Sequence, residues 1–269
     1  MVMELLQIAI SIIAVIILGV FSLKVRIIST TGFIAAEFVG CSILIFGGMK
    51  WFVVLLVFYF ATGLFTKYKY EYKKKIGAAE EKGGARAWQN VMANGLIASL
   101  LAMGHDLVPL NIFAIGFLGA ISTSAADTLA TEIGLLNPHE PRLITNLSKS
   151  VEPGTSGGVS PLGEVASLFG ATLMGLVAWI VGFDGFTLPK IFTVTVLAGF
   201  LGSTFDSLLG ASIQATYRCP ACNRITEKKV HCGQACTLIK GNRILDNNVV
   251  NLISTIFGAL VAALISLII

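Results

Sequence analysis

Residues 112–135 read IFAIGFLGAISTSAADTLATEIGL. The run exceeds the roughly 20 residues that a helix needs to cross a bilayer. Its apolar residues follow no period-two alternation, so a helix is expected and not a strand. Two carboxylates interrupt it, Asp127 and Glu132. On a helix Ser124, Asp127, Thr128 and Thr131 fall three and four apart and make one polar stripe, while Glu132 lies off that stripe. A carboxylate at membrane depth is costly and faces a bundle interior or a water-filled cavity. The stretch therefore predicts a membrane helix packed among others around something polar.

The rest of the chain fits that reading. Of 269 residues, 55% are hydrophobic and 13% charged, whereas a soluble domain carries about 25% charged residues. Spanning segments must be helices or a closed barrel, because lipid cannot satisfy backbone polar groups. Further apolar runs at 5–22, 27–46, 51–65, 91–103, 165–181, 191–213 and 249–268 select an all-α, polytopic integral membrane helical bundle. About eight transmembrane helices form a single transmembrane domain over 1–269. The N-terminus lacks the basic start and small-residue cleavage site of a signal peptide, so it is expected to remain as the first helix.

Charge suggests the orientation. If every odd-numbered helix is followed by a cytoplasmic loop, all lysines and arginines except Lys50 and Lys190 lie on that side, as the positive-inside rule asks. Three cytoplasmic segments follow: a basic loop at 67–86, a glycine-rich loop at 136–163 and a Cys-rich loop at 216–246. The net charge of +4 is accounted for by this asymmetry and implies no nucleic-acid partner. The lysine run of the first loop reads as a solvated segment attracted to anionic lipid.

Polar residues recur on other helices. Arg86, Asn90 and Asn94 are each four apart, on one face at the start of the fourth helix; they either hydrogen-bond between helices or line a site. Ser203, Asp206, Ser207, Gly210 and Gln214 repeat the acid-bearing stripe on the seventh. The eighth opens with Asp246, Asn247, Asn248 and Asn251, which cap the helix or join the same cavity. Glu37 stands alone in the second helix without a polar stripe.

Between the fifth and sixth helices runs KSVEPGTSGGVS, residues 149–160. Its glycines let backbone N–H groups turn toward an anion, a helix start follows, and Lys149 supplies a point charge for phosphate. The loop is not a Walker A sequence. Mg²⁺ is held by one or two carboxylates together with phosphate oxygens, and phosphoryl transfer needs positioning and charge neutralisation more than covalent help. The expectation is metal and phosphate chemistry at the cytoplasmic face. Asp127, Glu132 and Asp206 would hold or orient Mg²⁺, Lys149 and the 152–158 loop (Glu152, Gly154, Thr155, Ser156, Gly157, Gly158) would take nucleotide phosphates, and Arg86 would meet developing charge. His105, His139 and His231 are scattered, so no hydrolase triad is suggested.

Four of the five cysteines cluster. Cys219-Pro-Ala-Cys222 is followed by His231-Cys232 and Cys236, a structural zinc signature. Cys219, Cys222 and Cys232 are the expected thiolates, with His231 or Cys236 as the fourth ligand.

Five segments occur in order: RAWQNVMANG from Arg86, DTLATEIG from Asp127, EPGTSGGVSPLG from Glu152, DSLLGASIQ from Asp206 and YRCPACN from Tyr217. Together they resemble the membrane family that includes the plant phytyl-phosphate kinase of the vitamin E pathway, over the chain from about Lys73 onward. A looser similarity joins Asp127-Thr128-Leu129-Ala130 and Lys149-Ser150-Val151-Glu152 to the CTP-dependent dolichol and phytol kinases, with Pro153 inserted before Gly154-Thr155. The resemblance implies a CTP-dependent isoprenyl-phosphate kinase that transfers the γ-phosphate of CTP to a phytyl or geranylgeranyl type of monophosphate. On that basis Asn90, Asn94, Gln214 and Asn248 would contact nucleotide or acceptor, and the prenyl tail would lie between helices. The rivals are a CDP-lipid cytidylyltransferase and a transporter or flippase with intramembrane acids as a coupling path; the chain shows no convincing internal repeat.

Overall fold

The computed structural model describes residues 2–269. Met1, part of the expected first helix, lies outside the described residues, as do the side chains of residues 2–8, 81 and 82. The helices are α1 (Val2–Lys24), α2 (Thr30–Ser42, continued by a π turn, Ile43–Gly47), α3 (Met49–Lys67), α4 (Tyr70–Lys75), α5 (Glu81–Gly84), α6 (Trp88–Leu107), α7 (Asn111–Gly134), α8 (Pro161–Ile180), α9 (Leu188–Ser212) and α10 (Asn247–Ile268). The eight long ones correspond in order to the eight predicted spans. By length and composition six are apolar enough to cross a membrane, and Ala9–Lys24 is a shorter apolar helix. Helix α6 is 20 residues long but carries too many polar side chains to join them. The protein is a helical membrane bundle.

Helix α7 is the axis: 78% of its apolar window is buried, and α3, α6, α8, α9 and α10 pack against it. Small residues make that density possible, since lipid tails supply little hydrophobic drive between helices and close backbone approach must do so instead. Gly170 of α8 shows the constraint, because a Cβ there would stand 2.9 Å from the Ala125 carbonyl oxygen of α7. Outward-facing Ile13, Ile17, Leu260 and Leu264 are exposed to the surroundings a bilayer would fill.

The connections after α1, α3, α7 and α9 gather at one end. Arg86 bridges to Ile28, the Arg224 Nη2 donates to the Ile76 carbonyl at 2.6 Å, and Ser156 Oγ donates to Glu227. At the other end Lys50 Nζ donates to the Gly182 carbonyl at 2.6 Å and Lys190 Nζ to the Ser266 carbonyl at 3.3 Å. The two basic residues set apart by the charge pattern thus sit at the opposite end from the rest.

The loops are more structured than an all-helical reading foresaw. Strands β1 (Arg142–Leu143), β2 (Asn146–Ser150) and β3 (Gly158–Val159) form an antiparallel sheet in the order β2-β1-β3. In the Cys-rich segment β4 (Thr216–Arg218), β5 (Ile225–Thr226) and β8 (Thr237–Lys240) form a second, and β6 (Val230–His231) pairs with β7 (Gln234–Ala235). Such two- to five-residue strands are too short to show an alternating pattern in sequence.

Candidate active site

The gathered loops and the ends of α6, α7, α9 and α10 enclose a cavity of about 330 Å³. Asp127 and Asp206 face it from α7 and α9, close enough to act on one another electrostatically. Asp127 receives a long hydrogen bond from Ser203 Oγ, 3.5 Å. With its amide turned as the surrounding acceptors require, Asn251 of α10 donates to Asp206 Oδ2 at 3.2 Å and to the Asn247 carbonyl at 2.8 Å. No lysine, arginine or histidine pairs with either aspartate among the described residues. Two neighbouring carboxylates without a cation, Asp206 buried and Asp127 half-buried, are costly, and that donor set fits a hard divalent ion completed by phosphate oxygens.

The glycine-rich loop covers the cavity. Residues 152–158 line it throughout, and α8 starts beside it, capped by Ser160 Oγ accepting from the Gly163 N–H at 3.1 Å with Pro161 in the first turn. A capped helix start directs N–H groups and positive partial charge toward an anion. Gly157 has φ +75, and a Cβ on it would collide with the Ala211 backbone of α9. Glycine is therefore needed there for conformation and for contact.

Several sequence-predicted residues meet at the cavity: Arg86, Asn90, Asp127, Glu132, Asp206, Gln214 and the loop. Others do not. Lys149 is exposed on β2 and outside the lining. Asn94 is buried one turn below, its Nδ2 donating to the Asn90 carbonyl at 2.9 Å. Asn248 is outside the lining, and Asn247 and Asn251 of the same helix line the cavity instead. Helix α6 begins at Trp88, so Arg86 is not its first residue but lies in the extended segment before it.

Glu132 also differs from its expected metal role. It takes a salt bridge from Lys73 Nζ at 2.6 Å, and Lys73 donates to the Phe65 carbonyl at 2.7 Å. Lys73 is only 1% exposed, which corrects the solvated reading of that member of the lysine run. The physical reason is the one the spacing hinted at: Glu132 lies off the Asp127 stripe and points to the basic loop.

Sequence reasoning missed Glu227. It reaches from the Cys-rich loop, is held by Ser156 Oγ, and lines the cavity close enough to act on both aspartates. Burial holds its carboxyl above the usual carboxylate range, with Ser156 partly offsetting. Arg224 and Lys228 join the lining from the same loop. Nothing in the local pattern around Glu227 marks it, because its position comes from the way the loop folds back.

The ligand atoms of Cys219, Cys222, His231 and Cys232 all lie within 4.8 Å of one another. His231 Nδ1 is 3.4 Å from Cys222 Sγ and 3.3 Å from Cys232 Sγ. Cys236 lies beside Cys219, its Sγ donating to the Gln234 carbonyl at 3.9 Å, but outside the group of four whose ligand atoms are all mutually close, and His231 is the fourth member of that group. Burial pushes the Cys219 thiol up, but hydrogen bonds from His231 and the Cys222 and Ala221 backbone outweigh it, and the thiol is pushed down to about 6. A closed set of three sulfurs and one imidazole suits tetrahedral zinc.

Fold and cavity define a helical membrane protein with a polar, acid-lined site at one end of the bundle. Residues 13–259 match the family described as integral membrane protein DUF92, and the chain belongs to that family. It is similar to an uncharacterized membrane protein of Methanocaldococcus jannaschii, 31% identical over 97% of this chain and 95% of that one. Protein PGR of Arabidopsis thaliana is 31% identical over 81% of this chain and 82% of its own. The chloroplastic protein VTE6 of Arabidopsis thaliana is 26% identical over 88% of this chain and 65% of its own. No solved structure matches.

Proposed function

We propose that the protein is an isoprenyl-phosphate kinase, transferring the γ-phosphoryl group of a nucleoside triphosphate, CTP by resemblance, to a membrane isoprenyl monophosphate. The observation that carries this reading is the cavity itself, in which two aspartates without a cationic partner among the described residues, Asp206 buried and Asp127 half-buried, meet a glycine-rich loop, a helix start and Arg86. The similarity to VTE6 and the five ordered motifs support the same class of reaction.

Asp127 and Asp206 would hold Mg²⁺, which when bound would neutralise the transferring phosphate. The 152–158 backbone and the α8 start bind the donor phosphates, while Arg86 and Asn90 orient the acceptor phosphate. An oxygen of that phosphate attacks the γ-phosphorus, the bond to the β–γ bridging oxygen breaks, and the nucleoside diphosphate leaves with the electron pair. The attacking oxygen is already anionic, so no general base is required. Zinc in the Cys219–Cys222–His231–Cys232 set would fasten the loop that carries Glu227, Arg224 and Lys228 over the cavity. The distribution of basic residues supports a cytoplasmic orientation for this end.

The test is a purified-protein assay with Mg²⁺, labelled CTP and geranylgeranyl phosphate. Isoprenyl diphosphate and CDP in equal amounts are expected. Release of pyrophosphate with a CDP-lipid would replace the kinase by a cytidylyltransferase, and transport of the lipid without any chemical change would replace it by a flippase.

A further inference from the structure

Arg86 and Asn90 line a second cavity as well as the polar one. This second space, about 80 Å³, lies among α1, α2, α3 and α6, with walls that include Val15, Leu18, Val39, Phe52, Leu55 and Phe58. Helix α1 packs mainly on α2 and the π turn and has at most slight contact with α3. The slot is thus mostly apolar, with Glu37, Tyr59 and Ser22 as polar members of its wall, and ends at an arginine.

Glu80 and Glu132 act on the charge of that arginine. It is 7% exposed, and among the described residues its guanidinium makes one hydrogen bond, Nη2 to Thr66 Oγ1 at 3.5 Å. A guanidinium offers five donors in a planar fork suited to phosphate, and Thr66 takes one of them. Its backbone is fixed at this junction by Arg86 N–H to the Ile27 carbonyl and Ser29 N–H to the Arg86 carbonyl, each 3.0 Å. A ligand satisfying both sides has an anionic head on Arg86 and an apolar chain running away from it into the slot.

We infer that the α1–α2–α3–α6 slot holds the proximal hydrocarbon tail of the acceptor lipid phosphate, which slides in laterally from the bilayer and presents its phosphate to the glycine-rich loop past Arg86. This deepens the kinase reading and rests on it for the identity of the lipid. Ala36, half-buried on α2, lines the slot, so a larger side chain there takes up tail space without touching the aspartates.

Two measurements test it. A geranylgeranyl phosphate carrying a diazirine in its first isoprene units, photolysed on the full-length protein in nanodiscs, is expected to label α1–α3 slot residues and to be competed by unlabelled geranylgeranyl phosphate. Label spread over outward helix faces, or competed equally well by bulk phospholipid, would overturn the slot; this arm needs no turnover, so it stands apart from the kinase assay. In that assay Ala36→Phe should lower the ratio of kcat/KM for geranylgeranyl phosphate over dimethylallyl phosphate by about tenfold, the loss of roughly two buried methylenes. An unchanged ratio in an active, folded variant refutes the tail path, whereas failure of the wild type to phosphorylate either acceptor refutes the kinase reading and leaves the labelling result to decide the slot.

Discussion

Asp127 and Lys73 separate two roles that charged residues play at the polar end of the bundle. Asp127 is half-buried at the cavity without a cation among the described residues, and Asp127→Asn should keep the fold while lowering phosphoryl transfer by about a hundredfold or more, the scale seen when one electrostatic contact to a transition state is removed. Labelled-phosphate transfer, beside a thermal melt in detergent, checks both halves; full activity in the variant would dismiss the metal role. Lys73 instead belongs to a buried pair with Glu132. Removing one member of such a pair leaves an uncompensated charge and costs about 3–5 kcal/mol. Lys73→Met should therefore lower the melting temperature sharply, and the double change with Glu132→Gln should recover most of it. Two single changes that simply add would show that the pair is not coupled.

At the scale of the element, helix crossings around α7 depend on missing side chains. Gly170→Val places a Cβ 2.9 Å from the Ala125 carbonyl oxygen and 3.1 Å from the Ala126 Cα, and backbone cannot swing aside as a long side chain can. Overpacking of this kind costs about 1–3 kcal/mol, so the variant should melt earlier in detergent and show looser α7–α8 packing by hydrogen exchange. A wild-type melt would mean that the two helices are not in contact at this height.

For the whole molecule, the question is what keeps the loops closed over the cavity. The Cys-rich segment carries Glu227 and touches the glycine-rich loop through Ser156. If zinc sits in the Cys219–Cys222–His231–Cys232 set, its binding energy is folding energy for that segment. Metal analysis should find about one zinc per chain, as expected for one closed four-ligand site. Cys219→Ser should abolish that zinc, open the 216–240 segment to protease and reduce transfer, with the helices intact by circular dichroism. Metal-free protein with a protected segment would assign the loop's order to its strands alone.

The sequence by itself determined the bundle, the two aspartate stripes and the side on which basic residues lie, because each is a property of one helix or of composition: helical periodicity and apolar length are local and survive any packing. It also identified the glycine-rich loop by residue type. Only tertiary structure decided that Glu132 answers to Lys73, 59 positions away, that Glu227 reaches Ser156 across 71 positions, that His231 and not Cys236 completes the sulfur set, and that Lys149 falls outside the cavity. Those outcomes depend on which distant segments come to share one end of the bundle. Spacing along the chain carries no information about distances of that kind until the helices have packed around α7.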